Sequence, residues 1–345
     1  MRQKLHIEPP PSRLKSVQIE PTTYCNLKCA GCKRTWRDSR GLLTPRTMPL
    51  ETFRKIMANL PPGDICWLNG FGEPTLNEAL PEFIAIAKRK FDNVHVISNL
   101  LARDPEFYVR MVENGLDQLH VSVDSLHQET AELVRFGTEV EKLKERLAAV
   151  RAAIPVPIII NCVVSVKNMS DVENTLTELN RIGGFDVGFA DFGAFGGGDE
   201  DYSDWFTTLD HKAVINAMLK RVTPQMKNLT FRNEGFKQRR RKHKSDRCPR
   251  PFFDPGVTVD GFLVPCCVEM QNPGHYRYTS IVDQTFAEAW RSPAISGWLQ
   301  AYLEKEPAIC KDCALNPWRN EKPSLWERLG LTRAEPRETA AFVLD

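Results

Sequence analysis

The feature that most constrains the fold is an alternation of short apolar, β-branched segments with amphipathic helical segments along residues 16–221. Strands that alternate with helices at this spacing form a parallel sheet with right-handed crossovers. The predicted strands are Ser16–Thr23, Asp64–Asn69, Val94–Ser98, Gln118–Val123, Val156–Val166 and Phe185–Phe192. The predicted helices are Pro49–Asn59, Leu80–Lys90, Phe107–Glu113, Glu139–Ala153, Ser170–Arg181 and Leu209–Arg221. These six units predict an α/β fold, an open partial (β/α)6 barrel of the TIM type, because a closed barrel needs more chain.

Composition narrows the class of protein. The 345 residues are 42% hydrophobic and 26% charged, which is ordinary for a soluble globular chain. A formal charge of +2 is too small to imply a polyanionic partner for the whole chain. Since neither a signal peptide nor a run of transmembrane length is visible, we expect a cytoplasmic protein with no membrane contact. Ten cysteines in that compartment favour metal or redox use over disulfides.

Three cysteines, Cys25, Cys29 and Cys32, form a C-x3-C-x2-C motif directly after the first predicted strand. Three thiolates can hold three irons of a cubane 4Fe–4S cluster and leave the fourth iron without a protein ligand. An open coordination position is typical of catalytic metal sites, and barrel enzymes carry their active sites at the carboxyl ends of the strands. A zinc knuckle or a chance group of buried cysteines is the alternative.

This motif resembles that of the radical S-adenosylmethionine (SAM) superfamily, and the resemblance extends from about Val17 onward. It implies that the three cysteines hold a 4Fe–4S cluster and that the amino and carboxylate groups of SAM bind the open iron. Reductive cleavage of SAM would then yield a 5′-deoxyadenosyl radical that removes a hydrogen atom from an organic substrate. The sequence departs from the family at Gly31, where many members have an aromatic residue.

The same resemblance implies a set of residues that contact SAM. Gly70-Phe71-Gly72-Glu73-Pro74 is similar to the family's GGEP segment, which binds the SAM amino group. Ser98 and Asn99 match the polar pair that contacts the ribose, and Arg135 falls where relatives place a basic residue near the SAM carboxylate. The implied cofactor-binding residues are Gly70, Gly72, Glu73, Ser98, Asn99, Ser122, Asp124 and Arg135.

A second cysteine set lies in the C-terminal region. Cys248 and Cys266 flank the segment VTVDGFLV, in which Asp260-Gly261 between alternating apolar residues predicts a β-hairpin with a two-residue turn. The hairpin would bring these two cysteines together. Cys310-x2-Cys313 supplies two more thiolates, and four thiolates make a closed site for zinc or for a fully ligated iron–sulfur cluster.

The spacing Cys248-x12-Gly261-x4-Cys266 resembles the opening of the SPASM/twitch extension of radical SAM enzymes, a hairpin-plus-helix unit whose helix would open within Ser280–Trp290. Because no cysteine follows Cys313 and Arg319 stands where the next would be expected, the resemblance implies one auxiliary 4Fe–4S cluster. The arrangement is similar to the twitch domain of the enzymes that oxidise 2-deoxy-scyllo-inosamine. The implied auxiliary ligands are Cys248, Cys266, Cys310 and Cys313, with Cys267 able to replace Cys266. Cys66 and Cys162 lie inside predicted strands and are interpreted as small core residues.

Five segments follow from these patterns. A dense charge run, Lys237–Arg247, is interpreted as a solvated linker between two domains. The predicted segments are an N-terminal arm (1–15), a radical SAM partial barrel (16–235), a basic linker (236–247), a SPASM/twitch auxiliary Fe–S domain (248–320) and a C-terminal tail (321–345).

The leading functional hypothesis is an oxidoreductase that dehydrogenates a small molecule. A single auxiliary cluster favours oxidation, because it could accept the electron that a deprotonated substrate radical releases. Position alone offers His120, Asp191 and Glu234 as proton acceptors. The electron for SAM cleavage would come from a donor such as flavodoxin or ferredoxin.

Two alternatives remain. The first is modification or epimerisation of a ribosomal peptide, so that the substrate is a short peptide; only 24 residues precede Cys25, too few for a peptide-recognition domain. The second is a zinc-bearing module whose basic run binds RNA. That hypothesis leaves the three-cysteine motif unexplained, and few aromatic residues interleave the basic run as a single-strand platform requires. A nucleic-acid partner is therefore disfavoured.

Overall fold

The computed structural model describes residues 9–192, 204–232, 248, 250–270, 279–305, 307 and 310. Several predictions concern residues outside these ranges: Glu234 as a proton acceptor, the basic linker, Cys313 as a cluster ligand and the C-terminal tail. Within the described part of the chain, no helix is long and apolar enough to cross a membrane.

The strands and helices follow the predicted alternation. The strands are β1 (Leu14–Ile19), β2 (Lys28–Cys29), β3 (Gly63–Leu68), β4 (Phe91–Ser98), β5 (Gln118–Ser122), β6 (Arg135–Phe136), β7 (Ile158–Val164), β8 (Phe185–Asp191), β9 (Leu229–Phe231), β10 (Gly256–Val257) and β11 (Leu263–Val264). The helices are α1 (Lys33–Ser39), α2 (Leu50–Asn59), α3 (Leu80–Lys88), α4 (Pro105–Glu113), α5 (Gln128–Val134), α6 (Val140–Ala153), α7 (Val172–Ile182), α8 (Leu209–Val222), α9 (Arg250–Phe253), α10 (Cys267–Met270), α11 (Phe286–Arg291) and α12 (Pro293–Glu304).

Within the described residues, the main sheet has nine strands in the order β11-β10-β1-β3-β4-β5-β7-β8-β9. Strands β1, β3, β4, β5, β7 and β8 are the six predicted ones, and each pairs in parallel with the next. The prediction of an α/β fold with a parallel sheet is therefore confirmed, and the strand order agrees with an open, partial barrel. The parallel edge strand β9 was not predicted, because it has only three residues and none of them is buried.

Alternation along the strands separates a core face from a lumen face. In β4 and β5 the buried residues Val94, Val96, Leu119 and Val121 are 0% exposed and belong to the hydrophobic core that includes the helices. Because successive strand residues point to opposite sides, His95 and His120 turn toward the barrel lumen. The same period places residues two positions apart in successive lumen layers, which rise toward the carboxyl ends of the strands.

The C-terminal hairpin joins the barrel sheet directly. Strand β10 pairs in parallel with β1, and β11 pairs antiparallel with β10. The turn has three residues, so the prediction of a two-residue turn is wrong: Thr258 N–H donates to the carbonyl of Phe262 at 3.0 Å. The reason is Gly261, whose φ of 81° lets it take the left-handed position of a three-residue hairpin loop.

After the short helix α10, two longer helices, α11 and α12, follow the hairpin in the described part of the chain. Thr285 and Glu288 form a reciprocal capping box that opens α11 inside the segment where a helix start was expected. The second of them, α12, begins with Pro293 and is capped by Ser292. The hydroxyl of its Tyr302 donates a hydrogen bond to the carbonyl of Cys248 at 2.9 Å. Helix α12 thus holds the chain at Cys248, the first cysteine of the C-terminal set.

Candidate active site

A cavity of about 330 Å³ opens at the carboxyl ends of the parallel strands. This volume lies within the range of small-molecule sites. The structure brings together around it the three motif cysteines and all eight residues that the resemblance implied: Cys25, Cys29, Cys32, Gly70, Gly72, Glu73, Ser98, Asn99, Ser122, Asp124 and Arg135. These residues come from five separate stretches of the chain, so the cavity is a product of the barrel topology.

A two-stranded ribbon fixes the cysteine loop. Strands β2 and β6 pair antiparallel, with Cys29 opposite Arg135, and Ala30 N–H donates to the carbonyl of Val134 at 3.1 Å. Among the described residues no three His, Cys, Asp or Glu side chains converge as ligands of a single metal ion. A cubane cluster takes its ligands at separate corners, so three free cysteines spread around one cavity wall fit that group.

The Gly70–Pro74 segment packs against the chain that leads into the cysteine loop. Gly72 N–H donates to the carbonyl of Thr22 at 3.2 Å, and Glu73 N–H donates to that of Tyr24 at 2.8 Å. A Cβ on Gly72 would overlap both carbonyl oxygens. Glycine is therefore required here by the approach of two main chains, a reason that the sequence motif does not reveal.

The Glu73 carboxylate faces the protein. It is 3% exposed, and its oxygens accept from Thr75 Oγ1 at 2.6 Å, Ser98 Oγ at 2.8 Å and Asn99 N–H at 2.7 Å. Burial raises the pKa of Glu73, while these donors act in the opposite direction. Through these hydrogen bonds Glu73 and Ser98 tie the end of β4 to the glycine segment. A contact between Glu73 and SAM stays a prediction.

The turn after β4 carries local strain. Leu100 has a φ of 65° and is fully buried, a conformation that costs a non-glycine residue about 1–2 kcal/mol. Its neighbour Asn99 donates from Nδ2 to Oδ1 of Asn26, inside the cysteine loop, at 2.8 Å. The strained turn thus links the end of β4, which lines the cavity, to the cysteine motif. Backbone strain of this kind is common at functional sites.

Arg135 and Asp124 form an ion pair at the cavity, with 3.3 Å between Nη1 and Oδ2. Asp124 also accepts from Val163 N–H at 2.8 Å, which fixes it to the next strand. Burial opposes the charge of Arg135, but Cys29 and Asp124 outweigh it and raise the pKa of the guanidinium. The cavity therefore holds a permanent cation beside Cys29, where a carboxylate ligand would find a partner.

Two aromatic residues that the sequence analysis missed line the same cavity. A Cβ on Gly31 would overlap the ring of Phe192, so the glycine makes room for that ring beside the cysteine loop. Trp205 lies 5.5 Å from Phe192 between ring centroids and also lines the cavity. Phe192, directly after β8, and Trp205 thus give the cavity an aromatic surface beside the cysteine loop.

Of the three proposed proton acceptors, the two that the structure describes, His120 and Asp191, do not line the cavity. Asp191 forms an ion pair with Lys212 and accepts a hydrogen bond from Thr207 Oγ1 at 2.9 Å. These two contacts attach the end of β8 to α8 and to the segment before it. His120 lies one lumen layer below the cavity, two residues before Ser122 on β5. Glu234 falls outside the described residues.

Below the cavity, Trp67, His95 and His120 form an aromatic cluster in the lumen. Trp67 lies 4.6 Å from His95 and 4.9 Å from His120 between ring centroids. Both ring nitrogens of His95 and Nε2 of His120 have no hydrogen-bond partner among the residues that the structure describes. Burial lowers the pKa of each histidine to about 4, so both rings are neutral near pH 7.

Three described cysteines of the C-terminal region lie near Arg250. Its Nη1 lies 3.8 Å from Sγ of Cys267, and the charges of Cys267, Asp254, Cys248 and Cys266 raise the pKa of the guanidinium although burial opposes this. Cys310 packs against the edge of the core. The ligand set of an auxiliary cluster, including the choice between Cys266 and Cys267, stays a prediction.

Cys66 and Cys162 are buried at 0% and 2% exposure, as small core residues are.

Two family models match this chain. The radical SAM superfamily model matches residues 19–179, and the SPASM model, an iron–sulfur cluster-binding domain, matches residues 248–314. The chain contains a radical SAM domain and a SPASM domain. A radical SAM domain implies a 4Fe–4S cluster and SAM, and a SPASM domain implies auxiliary iron–sulfur clusters, so the predicted cofactors are confirmed.

Individual relatives are distant. The PqqA peptide cyclase of Granulibacter bethesdensis is 22% identical over 314 residues, which cover 89% of this chain and 80% of that protein. Among solved structures, SuiB of Streptococcus suis bound to SAM has a TM-score of 0.64 at 12% identity, covering 88% of this chain and 71% of SuiB. The anSMEcpe structure with SAM and the Cp18Cys peptide has a TM-score of 0.60 at 16% identity, covering 88% of this chain and 87% of that chain. The structural likenesses show the fold alone, and the narrower resemblance to 2-deoxy-scyllo-inosamine dehydrogenases stays a prediction.

Proposed function

We propose that this protein abstracts a hydrogen atom from a peptide substrate and completes a net oxidation with an auxiliary cluster as electron acceptor. The observation that carries the radical chemistry is the single cavity lined by the cysteine motif and all eight residues expected to contact SAM. When bound there, the cluster and SAM supply the 5′-deoxyadenosyl radical that takes the hydrogen atom. The peptide substrate is supported by the similarity to a peptide cyclase over 89% of this chain and by the fold shared with anSMEcpe, whose structure contains a peptide.

Within this proposal the side chains have distinct roles. Cys25, Cys29 and Cys32 hold the cluster, and Arg135 binds the SAM carboxylate from its place opposite Cys29. Asn99 and Ser122 supply polar contacts for the ribose, and Asp124 fixes Arg135 in position. Glu73 and Ser98 hold the walls of the cavity through their mutual hydrogen bond, so their contribution is to geometry.

Dehydrogenation of a small molecule is the second candidate. It is favoured by the C-terminal cysteine set, because Cys248, Cys266, Cys310 and Cys313 would supply the four thiolates of one auxiliary cluster. The two substrate classes can be separated with a cell extract that stimulates 5′-deoxyadenosine release. Stimulation that is lost after protease treatment supports a peptide, whereas stimulation that survives protease and passes a small-solute filter supports a small molecule.

The radical chemistry itself has a direct test. The protein is purified without oxygen, its iron, sulfide and zinc are measured, and SAM is added with a strong reductant. We expect about eight irons per chain, from two cubane clusters, and release of 5′-deoxyadenosine. Stoichiometric zinc without SAM cleavage would refute the proposal.

Phe192 should contribute to SAM binding through its ring. Base–aromatic stacking is worth about 1–3 kcal/mol by alanine substitution, so we expect Phe192→Ala to raise the Kd for SAM by about 5- to 150-fold. Equilibrium dialysis of the reconstituted protein measures this. Phe136→Ala is the matched control, because that ring is 56% exposed and lies outside the cavity lining. An unchanged Kd in Phe192→Ala would contradict the stacking role.

A further inference from the structure

Glu20 joins three parts of the molecule at the end of β1. It is 2% exposed, and its main-chain N–H donates to the carbonyl of Val257 in β10 at 2.9 Å. Its Oε1 accepts from Phe71 N–H at 2.7 Å, and its Oε2 accepts from Val259 N–H at 3.1 Å. One carboxylate thus binds the proposed SAM-binding segment with one oxygen and the C-terminal hairpin with the other.

The contact with the SAM-binding segment is close. A Cβ on Gly70 would lie 2.5 Å from Cγ and Oε1 of Glu20, so only glycine lets the segment lie against this side chain. Phe71 follows Gly70 directly, and Gly70 through Glu73 all line the cavity. The position of the Glu20 carboxylate therefore sets where this wall of the cavity stands.

The contact with the hairpin leads to the second cysteine set. Val259 belongs to the loop between β10 and β11, and those two strands connect Cys248 on one side with Cys266 on the other. A shift of the hairpin moves the Val259 N–H, and the carboxylate can keep that hydrogen bond only by moving with it. Hydrogen bonds of this kind to a carboxylate are charge-assisted and stronger than neutral ones.

We propose that Glu20 is a positioning residue that couples the C-terminal cysteine domain to the SAM cavity. This proposal rests on the proposed function, which identifies SAM as the ligand of the cavity. A change at the C-terminal cysteines alters SAM binding through Val259, Glu20 and Phe71, and SAM binding alters the hairpin to the same extent, because coupling between two sites is reciprocal.

Val259→Pro tests the coupling from the hairpin side, away from the cavity. Gly261 N–H donates to the Thr258 carbonyl at 2.8 Å, and among the described residues outside glycine only Leu100 has a positive φ. Val259 thus occupies the second position of a type I turn, where proline is favoured, and proline removes the N–H that Glu20 accepts. We expect the Kd for SAM to rise about tenfold and hydrogen exchange of a peptide covering residues 68–76 to accelerate.

Two further variants complete the test. Asp260→Asn is the matched control on the same turn: it weakens the ion pair with Arg46, 2.8 Å long, without touching Glu20, and should leave both readouts unchanged. Glu20→Gln keeps the side-chain shape but replaces one accepting oxygen with an amide, and it should reproduce the effect of Val259→Pro. Thermal unfolding of each variant shows whether it folds.

The outcomes separate the coupling from the proposed function. If the wild-type protein fails to bind SAM but residues 68–76 exchange faster in Val259→Pro and Glu20→Gln than in the wild type, the coupling is supported and the SAM site is refuted. Normal SAM binding with unchanged Kd and unchanged exchange in folded Val259→Pro and Glu20→Gln would refute the coupling. Equal effects of Asp260→Asn and Val259→Pro would also refute it, since the loss would then belong to the hairpin as a whole.

Discussion

Cys25→Ala is expected to abolish 5′-deoxyadenosine formation and to lower the iron content by about four atoms per chain, the content of one cubane cluster. The physical reason is that a cubane held by three thiolates already lacks one protein ligand, so loss of a second leaves two corners open. The same result is expected for Cys29→Ala and Cys32→Ala, since all three side chains line the cavity. Iron and sulfide analysis and a SAM-cleavage assay measure the two effects.

Cys66→Ala is the matched control for this experiment. Cys66 is a free cysteine on β3 with 0% exposure in the hydrophobic core, so its removal should leave iron content and SAM cleavage unchanged. Truncation of so small a core residue costs some stability through the cavity it leaves. Full SAM cleavage by Cys25→Ala would show that the ligand assignment is wrong.

Acid is expected to destabilise the fold through His95 and His120. Burial lowers the pKa of both to about 4, from 6.5 in the unfolded chain. Between these values the unfolded state binds more protons than the folded state, so stability is fully present above about pH 6.5 and falls as the pH decreases toward 4. A shift of this size corresponds to about 3 kcal/mol for each histidine, a large part of the stability of a typical domain.

The double variant His95→Leu/His120→Leu should remove most of this acid dependence. It also removes three buried ring nitrogens that have no partner among the described residues, each of which costs about 1–3 kcal/mol. Because leucine does not titrate, its free energy of unfolding should change less with pH than that of the wild type. Denaturant titration at pH 7.5, 6.0 and 5.0 measures this. His127→Gln, a change at an exposed histidine, is the control. An equally steep pH profile in the double variant would contradict the assignment.

The positions of the six barrel strands follow from local patterns. Apolar, β-branched runs such as Ile158–Val164 and amphipathic helices such as Val140–Ala153 lie where the sequence predicted them, within a few residues. Short elements escaped, because β9 and the ribbon strands β2 and β6 have two or three residues and carry no period. Their pairing depends on neighbours that only the fold supplies.

The candidate site shows the same division. The cysteine motif and the glycine segment were visible because each is contiguous, and strand ends such as Asn99 followed from the position of the strands. Phe192 and Glu20 carry no local signal, since each acts on a segment far away in the chain: Phe192 on Gly31, and Glu20 on Phe71 and Val259. The motif also says nothing about where a side chain points, so the inward orientation of Glu73 was missed.

The sequence by itself determined the barrel class and which cysteines are available, because hydrophobic period and metal-ligand spacing are local properties of the chain. The cofactors followed from the resemblance that the cysteine motifs carry. Only the tertiary structure decided that Glu73 holds the cavity wall, that Phe192 takes the place beside Gly31, and that Glu20 connects the cavity to the C-terminal hairpin. The physical reason is that burial, hydrogen-bond partners and ring contacts depend on which distant strands become neighbours. In a parallel sheet every neighbour is reached through a crossover, so the chain between two contacting residues is long.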